Sequence, residues 1–579
     1  MNTFNLENLL EMPLDQWDSY ESYYNELKNR KLDSSNTQAW LQDWSDLSRI
    51  FNETYTQIYI DSTLDTTDEG IRQRYLNIVE HIIPPVTQAN QDLKVKFLQS
   101  DYEHKSIELL RRDMRSEVTL FREENIPLNT EITKLTNQYD QLTGGITIQW
   151  EDKELNMSQI SVYLGDQNRD IREKAWHAMK DGWLGVREEL NEIYLKLLKL
   201  RKQKAKNAGF DDYRAYRFQE MGRFDYSPAD CLAFHEAIEN AIVPVANRIL
   251  EKIKKNRSLD DVKPWDWLPE RGMCIQAEDL PPLKPYQSED ELIQGGINIF
   301  SNLDQDLGRH FADMAEHGLL DLESRPGKAM GGYCTRMAQQ GKAFIFMNGI
   351  GNHDTVQTLL HEAGHAFHDY EGKQPLLWQE QAPLEFCEVA SMSMEKLAAP
   401  YLEKAKGGYY DDPKDAARAF LEHLRTEMFF LPYMATVDSF QHWVYTYDES
   451  DGELTAEMLD AKWLEMEERF LGAINYGDDL EFRKAGWHRK LHIFQIPFYY
   501  VEYGMAQVGA MQVWRNSQQN GADATLEAYK TALGYGATKT LPELFEAAGA
   551  EFRFDVDMLL GIAEMVQTKI NELETIASG

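Results

Sequence analysis

Most of this chain repeats apolar residues every three or four positions, the spacing that gathers them on one face of a helix. Over the first 140 residues the pattern predicts successive helices, at Leu14–Lys31, Thr37–Tyr59, Glu69–Ile83, Thr87–Ser100 and Lys105–Glu124. Pro84 and Pro85 divide what is otherwise one long helical pattern. Helical spacing returns later and continues to the end of the chain with few interruptions, as in Asp166–Lys206, Ser227–Lys255 and Ser288–His317.

Two segments depart from the helical pattern. Gly144–Leu155 alternates around a turn, which predicts a small hairpin. Lys342–Met347 is a short apolar run with aromatic residues that closes at Asn348 and Gly349, and it predicts a strand. The predicted fold class is therefore mainly α with one small β-sheet.

The length of the chain predicts more than one compact unit. With 579 residues, 42% of them hydrophobic, the chain is long enough for two lobes. We place an N-terminal helical lobe at residues 1–205 and a second region at 206–579, with an approximate boundary and lobes that are expected to interleave. Residues 256–290 are the least helical part and predict a boundary or a surface loop, because they hold Pro264, Pro269, Pro281, Pro282 and Pro285.

Charge and cysteine content exclude several classes of protein. A formal net charge of -36 argues against nucleic acid and anionic membrane as partners. The four cysteines include no C-x-x-C pair, so the sequence predicts neither a disulfide framework nor a cysteine zinc site. The N-terminal residues lack the basic and apolar regions of a signal peptide, and no stretch of about 20 apolar residues occurs. We therefore expect a cytoplasmic protein without a membrane span.

The segment Thr355–Gly372 contains the motif H-E-x-x-H, formed by His361, Glu362 and His365. Apolar residues on one stripe, with Asp354 as the N-cap, predict a core-packed helix. The two histidines are one helical turn apart, so their imidazoles project from the same side and can share a metal ion. Glu362 would lie beside that metal as a general base toward water, which predicts a zinc peptidase. The alternative is an amphipathic helix with two histidines on its polar face.

A second predicted helix, Pro383–Leu397, offers a third ligand. Catalytic zinc takes three protein ligands and leaves a fourth position for water. Glu388 lies 23 residues after His365, among apolar and small residues where a carboxylate needs a partner, so we prefer it to Glu385. Glu395 is a candidate hydrogen-bond acceptor for a ligand histidine. A surface glutamate is the alternative interpretation of Glu388.

These motifs resemble the thimet oligopeptidase and oligoendopeptidase F family of zinc metallopeptidases. H-E-A-G-H-A-F-H is similar to the zinc helix of that family, and F-C-E-V-A-S-M-S-M-E is similar to its F-x-E-x-x-S-x-x-x-E segment, which implies Glu388 as the third ligand. G-G-Y-C-T and F-I-F-M-N also resemble the segments that precede the zinc helix. The resemblance is clearest over residues 320–515 and implies an almost wholly helical, two-lobed body with a deep channel that admits short unfolded peptides.

The family also carries a tyrosine- and histidine-bearing loop that faces the metal. The similar stretch here is His492–Gly504, which implies His492, Tyr500 and Tyr503 as site residues, with Tyr499 as an alternative to Tyr500. A phenol or imidazole donor beside zinc stabilises the oxyanion of peptide hydrolysis. Packing of aromatic rings in the core is the alternative.

Residues 343–348 are also predicted to be an edge strand that pairs with an extended peptide. Gly331 and Gly332 would permit close approach of the peptide backbone, although a tight turn without a ligand is an equal alternative.

The predicted function is a zinc-dependent endopeptidase that binds one Zn²⁺ per chain, hydrolyses internal bonds of short peptides and carries its catalytic region at 206–579. One alternative is a zinc exopeptidase, either an aminopeptidase or a carboxypeptidase. No G-A-M-E-N-like stretch precedes the zinc helix, which argues against the aminopeptidase. The other alternative is a non-catalytic peptide-binding relative, and the intact Glu362 argues against it.

Overall fold

The computed structural model describes residues 4–266, 283–325, 327–329 and 331–578. The elements of its first half are α1 Glu7–Leu10, α2 Trp17–Asn29, α3 Thr37–Leu64, α4 Glu69–Asn77, α5 Ile83–Leu98, α6 Glu108–Leu120, α7 Asn125–Gly144, β1 Thr147–Trp150, β2 Lys153–Asn156, α8 Met157–Ser161, α9 Arg169–Gly185, α10 Arg187–Asn207, α11 Tyr213–Glu220, α12 Pro228–Ala241 and α13 Val243–Asn256.

The elements of the second half are α14 Glu289–Leu303, α15 Gln305–Glu316, β3 Leu320–Glu323, β4 Tyr333–Met337, β5 Lys342–Gly349, α16 His353–Glu371, α17 Leu384–Ala398, α18 Pro413–Thr446, α19 Ala456–Leu471, α20 Leu480–Lys484, α21 Leu491–Gln495, α22 Tyr500–Asn520, α23 Ala522–Leu533, α24 Leu541–Ala547 and α25 Val556–Ser578. The chain is 72% helical, which confirms the mainly α prediction. Among the described residues, no helix has both the length and the apolar character needed to span a membrane.

Pro84 and Pro85 begin a helix rather than separate two predicted ones. They occupy the first turn of α5, where the missing N–H of proline has no partner to lose. A five-residue π-helical turn, Ile78–Ile82, connects α4 to α5. The predicted break is therefore a change of helix type at this position.

The chain forms two compact units, and each is assembled from three segments. The first comprises Met1–Thr119, Leu283–Ala416 and Gly509–Phe552. The second comprises Leu120–Pro282, Ala417–Val508 and Arg553–Gly579. The domain boundary predicted at 205/206 falls inside α10, and that division stays a prediction. Of the predicted loop at 256–290, residues 267–282 lie outside the described residues.

A three-stranded sheet in the first unit has the order β3-β5-β4. β5 pairs with β3 in parallel and with β4 in antiparallel fashion, so it is the central strand. The prediction that residues 343–348 form an edge strand is therefore wrong. The continuous buried run of β5 from Ala343 to Met347 is typical of a strand that is covered on both sides. β4 is instead an edge strand of this sheet.

A second, smaller sheet lies in the second unit. β1 and β2 pair antiparallel from Thr147 opposite Asn156 to Trp150 opposite Lys153. This sheet confirms the hairpin predicted at Gly144–Leu155.

Candidate active site

Helix α16 carries the H-E-x-x-H motif and packs into the core of the first unit. Its N-cap is Asn352, whose side chain accepts a hydrogen bond from the N–H of Thr355 at 3.1 Å. The predicted cap, Asp354, is wrong by two residues and lies in the first turn. The apolar stripe is fully buried as predicted, at Val356, Leu359, Leu360, Ala363 and Phe367.

The glycine in the motif allows α17 to approach α16 closely. A Cβ on Gly364 would lie 2.6 Å from the Cα of Ser391 and 2.9 Å from the carbonyl oxygen of Ala390. Any side chain at this position would separate the two helices. Gly364 therefore brings the α17 residue Glu388 within reach of the histidines on α16.

Three predicted ligands converge between these helices. Glu388 Oε2 lies 3.3 Å from His361 Nε2 and 3.7 Å from His365 Nε2. One ligand atom from each of the three side chains lies within 4.8 Å of the others. Tetrahedral zinc with bonds of about 2.0–2.2 Å separates its ligand atoms by about 3.3–3.6 Å. The two nitrogens and one carboxylate oxygen therefore fit such an ion and leave one position open.

Neighbouring side chains orient two of these ligands. His361 Nδ1 donates to Glu395 Oε1 at 2.6 Å, the contact that the sequence predicts for Glu395. Because the carboxylate only accepts, this bond holds a proton on Nδ1 and directs Nε2 toward Glu388. Ser391 Oγ donates to Glu388 Oε2 at 3.0 Å. Sequence reasoning missed Ser391, although its place one turn after Glu388 was available as a signal.

Burial and charge favour the protonation states that a metal requires in two of the ligands. Burial raises the pKa of Glu388, but His365 and His361 outweigh it and lower that pKa to about 2. Burial lowers the pKa of His365 to about 4. Burial also lowers the pKa of His361, but hydrogen bonds to Glu388 and Glu395 raise it well above its usual value. A metal ion would replace the proton that those carboxylates hold on His361.

Glu362 is not one of the three clustered ligand residues, and its carboxylate faces the start of β4. Burial raises the pKa of Glu362 to about 7, and the backbone N–H of Cys334 acts against that shift. A Cβ on Gly332 would lie 3.8 Å from Glu362 Oε1. A carboxyl group with a pKa near neutrality can both take up and release a proton at physiological pH.

The predicted histidine and tyrosines form an aromatic cluster in the second unit. The ring centre of His492 lies 5.0 Å from that of Tyr500, 6.0 Å from that of Tyr503 and 6.0 Å from that of Tyr499. Tyr500 is buried, and its hydroxyl accepts from Lys490 Nζ at 2.8 Å. The other three rings are partly exposed.

His492 is neutral and has unused hydrogen-bonding capacity. Burial, assisted by Lys490, lowers the pKa of His492 to about 3. Its Nδ1 atom is buried and has no hydrogen-bond partner within the described parts of the chain. A neutral imidazole still carries one N–H, so His492 can donate to an anion.

Another histidine cluster in the second unit was missed by sequence reasoning. On α12 and α18, Asp438 Oδ2 lies 2.9 Å from His235 Nε2 and 3.2 Å from His442 Nε2, with Cys231 Sγ close by. Ser439 Oγ contacts His235 Nδ1 at 2.8 Å. The His235 contact is a hydrogen bond, and both separations are shorter than the distance of about 3.3–3.6 Å expected between ligands of tetrahedral zinc.

A mainly helical fold with a His–His–Glu cluster beside a buried glutamate is an arrangement that metal-dependent hydrolases use. The sequence model of peptidase family M3 matches residues 162–564. The chain belongs to that family and is a peptidase, which confirms the resemblance found in the sequence.

Named relatives agree with this assignment. The chain is 23% identical to group B oligopeptidase PepB of Streptococcus agalactiae serotype III (strain NEM316), over 74% of this chain and 68% of that protein. It is 22% identical to the chromosomal oligoendopeptidase F of Lactococcus lactis subsp. cremoris, over 74% of this chain and 67% of that protein. A solved structure of PZ peptidase A with inhibitor 2 is 27% identical, with a TM-score of 0.86, and the match covers 98% of this chain and 97% of that chain.

Proposed function

We propose that this peptidase is a zinc-dependent endopeptidase that hydrolyses internal bonds of short unfolded peptides. The observation that carries the proposal is the spacing of 3.3 Å and 3.7 Å between Glu388 Oε2 and the two histidine nitrogens. Those distances suit a tetrahedral ion held by His361, His365 and Glu388, one per chain. When bound, zinc supplies Lewis acidity, which polarises the scissile carbonyl and lowers the pKa of water.

The chain's own residues would manage the protons of the reaction. Glu362 accepts the proton of the attacking water and passes it to the leaving amine, as its buried position beside the ligands allows. Glu395 holds His361 in the tautomer that directs Nε2 toward the site. These assignments give each glutamate near the site a separate role.

Two groups of the aromatic cluster are proposed to stabilise the oxyanion. Tyr503 is partly exposed and offers a phenolic O–H, and the neutral His492 offers an N–H. Each such donor contributes about 3–4 kcal/mol in comparable enzymes. Tyr500 stays a predicted site residue, but its ring is buried and its hydroxyl already accepts from Lys490.

Substrate binding is proposed to use main-chain hydrogen bonds on β4. Among the described strands only β5 pairs with β4, so the opposite edge of Tyr333–Met337 is the one that an extended peptide would join. Backbone pairing gives affinity with little dependence on substrate sequence. The names of the relatives, an oligopeptidase and an oligoendopeptidase, support short peptides as the partners. A cytoplasmic location stays a prediction from the sequence.

The proposal is tested with internally quenched peptides that are blocked at both termini. We expect cleavage at an internal bond, loss of cleavage with a chelator, and recovery with about one equivalent of zinc. Cleavage only of peptides with a free terminus would indicate an exopeptidase instead. Hydrolysis that persists in the fully metal-depleted protein would contradict the metal-dependent mechanism.

A further inference from the structure

One residue beside the aromatic cluster has a disfavoured backbone conformation. Phe498 has a φ of +66°, a left-handed value that a bulky side chain rarely adopts. Such a conformation persists only where the surroundings impose it, and it is concentrated at functional sites. Phe498 directly precedes Tyr499 and Tyr500, and it lies six residues after His492.

Two buried polar side chains and a set of rings hold Phe498 in this conformation. Its N–H donates to Gln441 Oε1 at 2.9 Å, and its carbonyl accepts from Arg223 Nη2. Its ring packs against three others within 6 Å, those of Phe218, His442 and Tyr445. Both backbone polar groups of Phe498 are therefore bonded to side chains from other elements.

The residues before Phe498 are held in the same way. Arg201 donates to the carbonyl oxygens of Ile493, at 3.2 Å, and of Phe494. Arg217 Nε donates to the carbonyl oxygen of Pro497 at 3.2 Å. In the segment Ile493–Phe498, four carbonyl groups and one N–H are thus bonded to side chains. We call Arg201, Arg217, Arg223 and Gln441 the clamp.

Helix α18 provides a buried polar face for the clamp. Asp438, Gln441, His442 and Tyr445 have the spacing i, i+3, i+4 and i+7, which places them on one side of the helix. Tyr445 accepts from Arg201 at 2.9 Å. Asp438 joins His442 to His235, so the polar face is itself cross-linked.

Arg223 connects the clamp to the helix that carries Tyr503. Besides the Phe498 carbonyl, it contacts Glu502 Oε1 at 2.9 Å, and both side chains of this ion pair are 1% exposed. Glu502 is the neighbour of Tyr503 in the first turn of α22. A shift of Arg223 would therefore move the start of the helix that carries Tyr503.

We propose that the clamp is a positioning device for the oxyanion donors Tyr503 and His492. This inference rests on the function proposed above. The clamp residues do not touch the reacting atoms. They impose the strained turn at Phe498, and this turn fixes the positions of the segments that carry the two donors. Displacement of a reacting group by about 1 Å can lower a rate by about 100-fold, so a small change in this segment has a large effect on turnover.

The test is a double-mutant cycle between Gln441→Met and Tyr503→Phe. The methionine keeps the shape of the side chain and removes the acceptor for the Phe498 N–H. We expect Gln441→Met to lower kcat about tenfold with KM unchanged, and Tyr503→Phe to lower kcat about 100-fold. In the Tyr503→Phe background, Gln441→Met should change kcat by less than about twofold, because residues that act as one unit are not additive.

A second readout does not depend on activity. Hydrogen exchange of the metal-free protein should be faster at residues 493–503 in Gln441→Met than in the unaltered chain. The control is Thr436→Val on the same helix, since Thr436 is equally buried and, among the described residues, its hydroxyl bonds only to the Pro432 carbonyl one turn earlier. Thr436→Val should leave kcat and the exchange of residues 493–503 unchanged.

The outcomes separate this inference from the function on which it rests. If the two substitutions lower kcat independently, so that their effects multiply in the double mutant, the clamp is overturned while the role of Tyr503 stays intact. An unchanged kcat in Gln441→Met would have the same meaning. An unchanged kcat in Tyr503→Phe alone would contradict the oxyanion role and the clamp together. If Gln441→Met does not fold, Arg223→Lys tests the same link, because it keeps the charge beside Glu502 and loses the reach to the Phe498 carbonyl.

Discussion

Two histidine clusters in this chain are built on the same plan. In each, two histidines surround one carboxylate at the contact between two helices. The α16–α17 cluster joins His361 and His365 to Glu388, with separations of 3.3 Å and 3.7 Å. The α12–α18 cluster joins histidines from both helices to Asp438, with separations of 2.9 Å and 3.2 Å.

The outer nitrogens of the histidines explain the difference. His361 Nδ1 faces the Glu395 carboxylate, which requires a proton on Nδ1 and leaves Nε2 free to bind a metal. His442 Nδ1 instead lies 3.2 Å from the guanidinium of Arg214, which can only donate. The proton of His442 therefore sits on Nε2, which faces Asp438 Oδ2 at 3.2 Å. The first cluster is arranged for a cation, whereas in the second both nitrogens of His235 are hydrogen-bonded, to Asp438 and to Ser439.

The largest effect is expected at the glutamate beside the first cluster. Glu362→Gln removes the proton acceptor and keeps the shape of the side chain, so kcat should fall by about 10³-fold or more. Zinc content should stay at one per chain, because Glu362 is not a proposed ligand. Activity within tenfold of the unaltered enzyme would contradict the assigned base.

The next prediction separates the clusters by their metal binding. Glu388→Ala should weaken zinc binding by at least about 100-fold, since even residues that only orient a ligand change affinity by about 10–100-fold. Asp438→Ala should leave the zinc stoichiometry unchanged. Competition with a chromogenic chelator measures both variants. Zinc loss in Asp438→Ala but not in Glu388→Ala would reverse the comparison.

The second cluster should contribute to stability instead. Asp438→Ala leaves buried His235 without its acceptor and buried His442 without the carboxylate beside it, and should lower the free energy of unfolding by about 3 kcal/mol. Burial raises the pKa of Asp438, but His442 and His235 outweigh it and lower that pKa below the usual 3.8. The contribution is therefore complete at neutral pH and declines as the pH falls below the pKa of the unfolded carboxyl. Denaturant unfolding of the metal-free protein at two pH values measures it.

A smaller effect is expected from the residue that orients His361. Glu395→Gln keeps an acceptor without the charge and should lower zinc affinity by about 10–100-fold. The matched change in the second cluster is Ser439→Ala, which removes the contact to His235 Nδ1 and should leave zinc affinity unchanged. Equal effects of the two substitutions on zinc affinity would mean that the outer contacts do not distinguish the clusters.

Local spacing explains which features could be predicted from the sequence. His361 and His365 are set by one helical turn, and Glu388 follows from an apolar second helix that Gly364 allows to approach. The edge strand was misplaced because β3, with the sequence L-D-L-E, has too few residues to predict the strand that pairs with β5. The helix cap was misplaced because Asn352 and Asp354 are equally suitable types, and only the backbone conformation selects between them.

The clamp could not be predicted because its parts are far apart in the sequence. Arg223 and Phe498 are separated by 275 residues, and Arg201 and Phe494 by 293. The spacing of Asp438, Gln441, His442 and Tyr445 was visible as a polar face within an apolar helix. The segment that this face contacts, Ile493–Phe498, could not be identified, because a spacing pattern does not indicate which distant segment packs against it.

Anomalous diffraction at the zinc edge, from crystals of the unaltered protein, tests the central claim most directly. We predict a single strong peak about 2.0–2.1 Å from the Nε2 atoms of His361 and His365 and about 2.0–2.2 Å from a carboxylate oxygen of Glu388. A crystal grown with added zinc that shows no peak there, or a peak at Asp438 instead, would contradict the proposed metal centre.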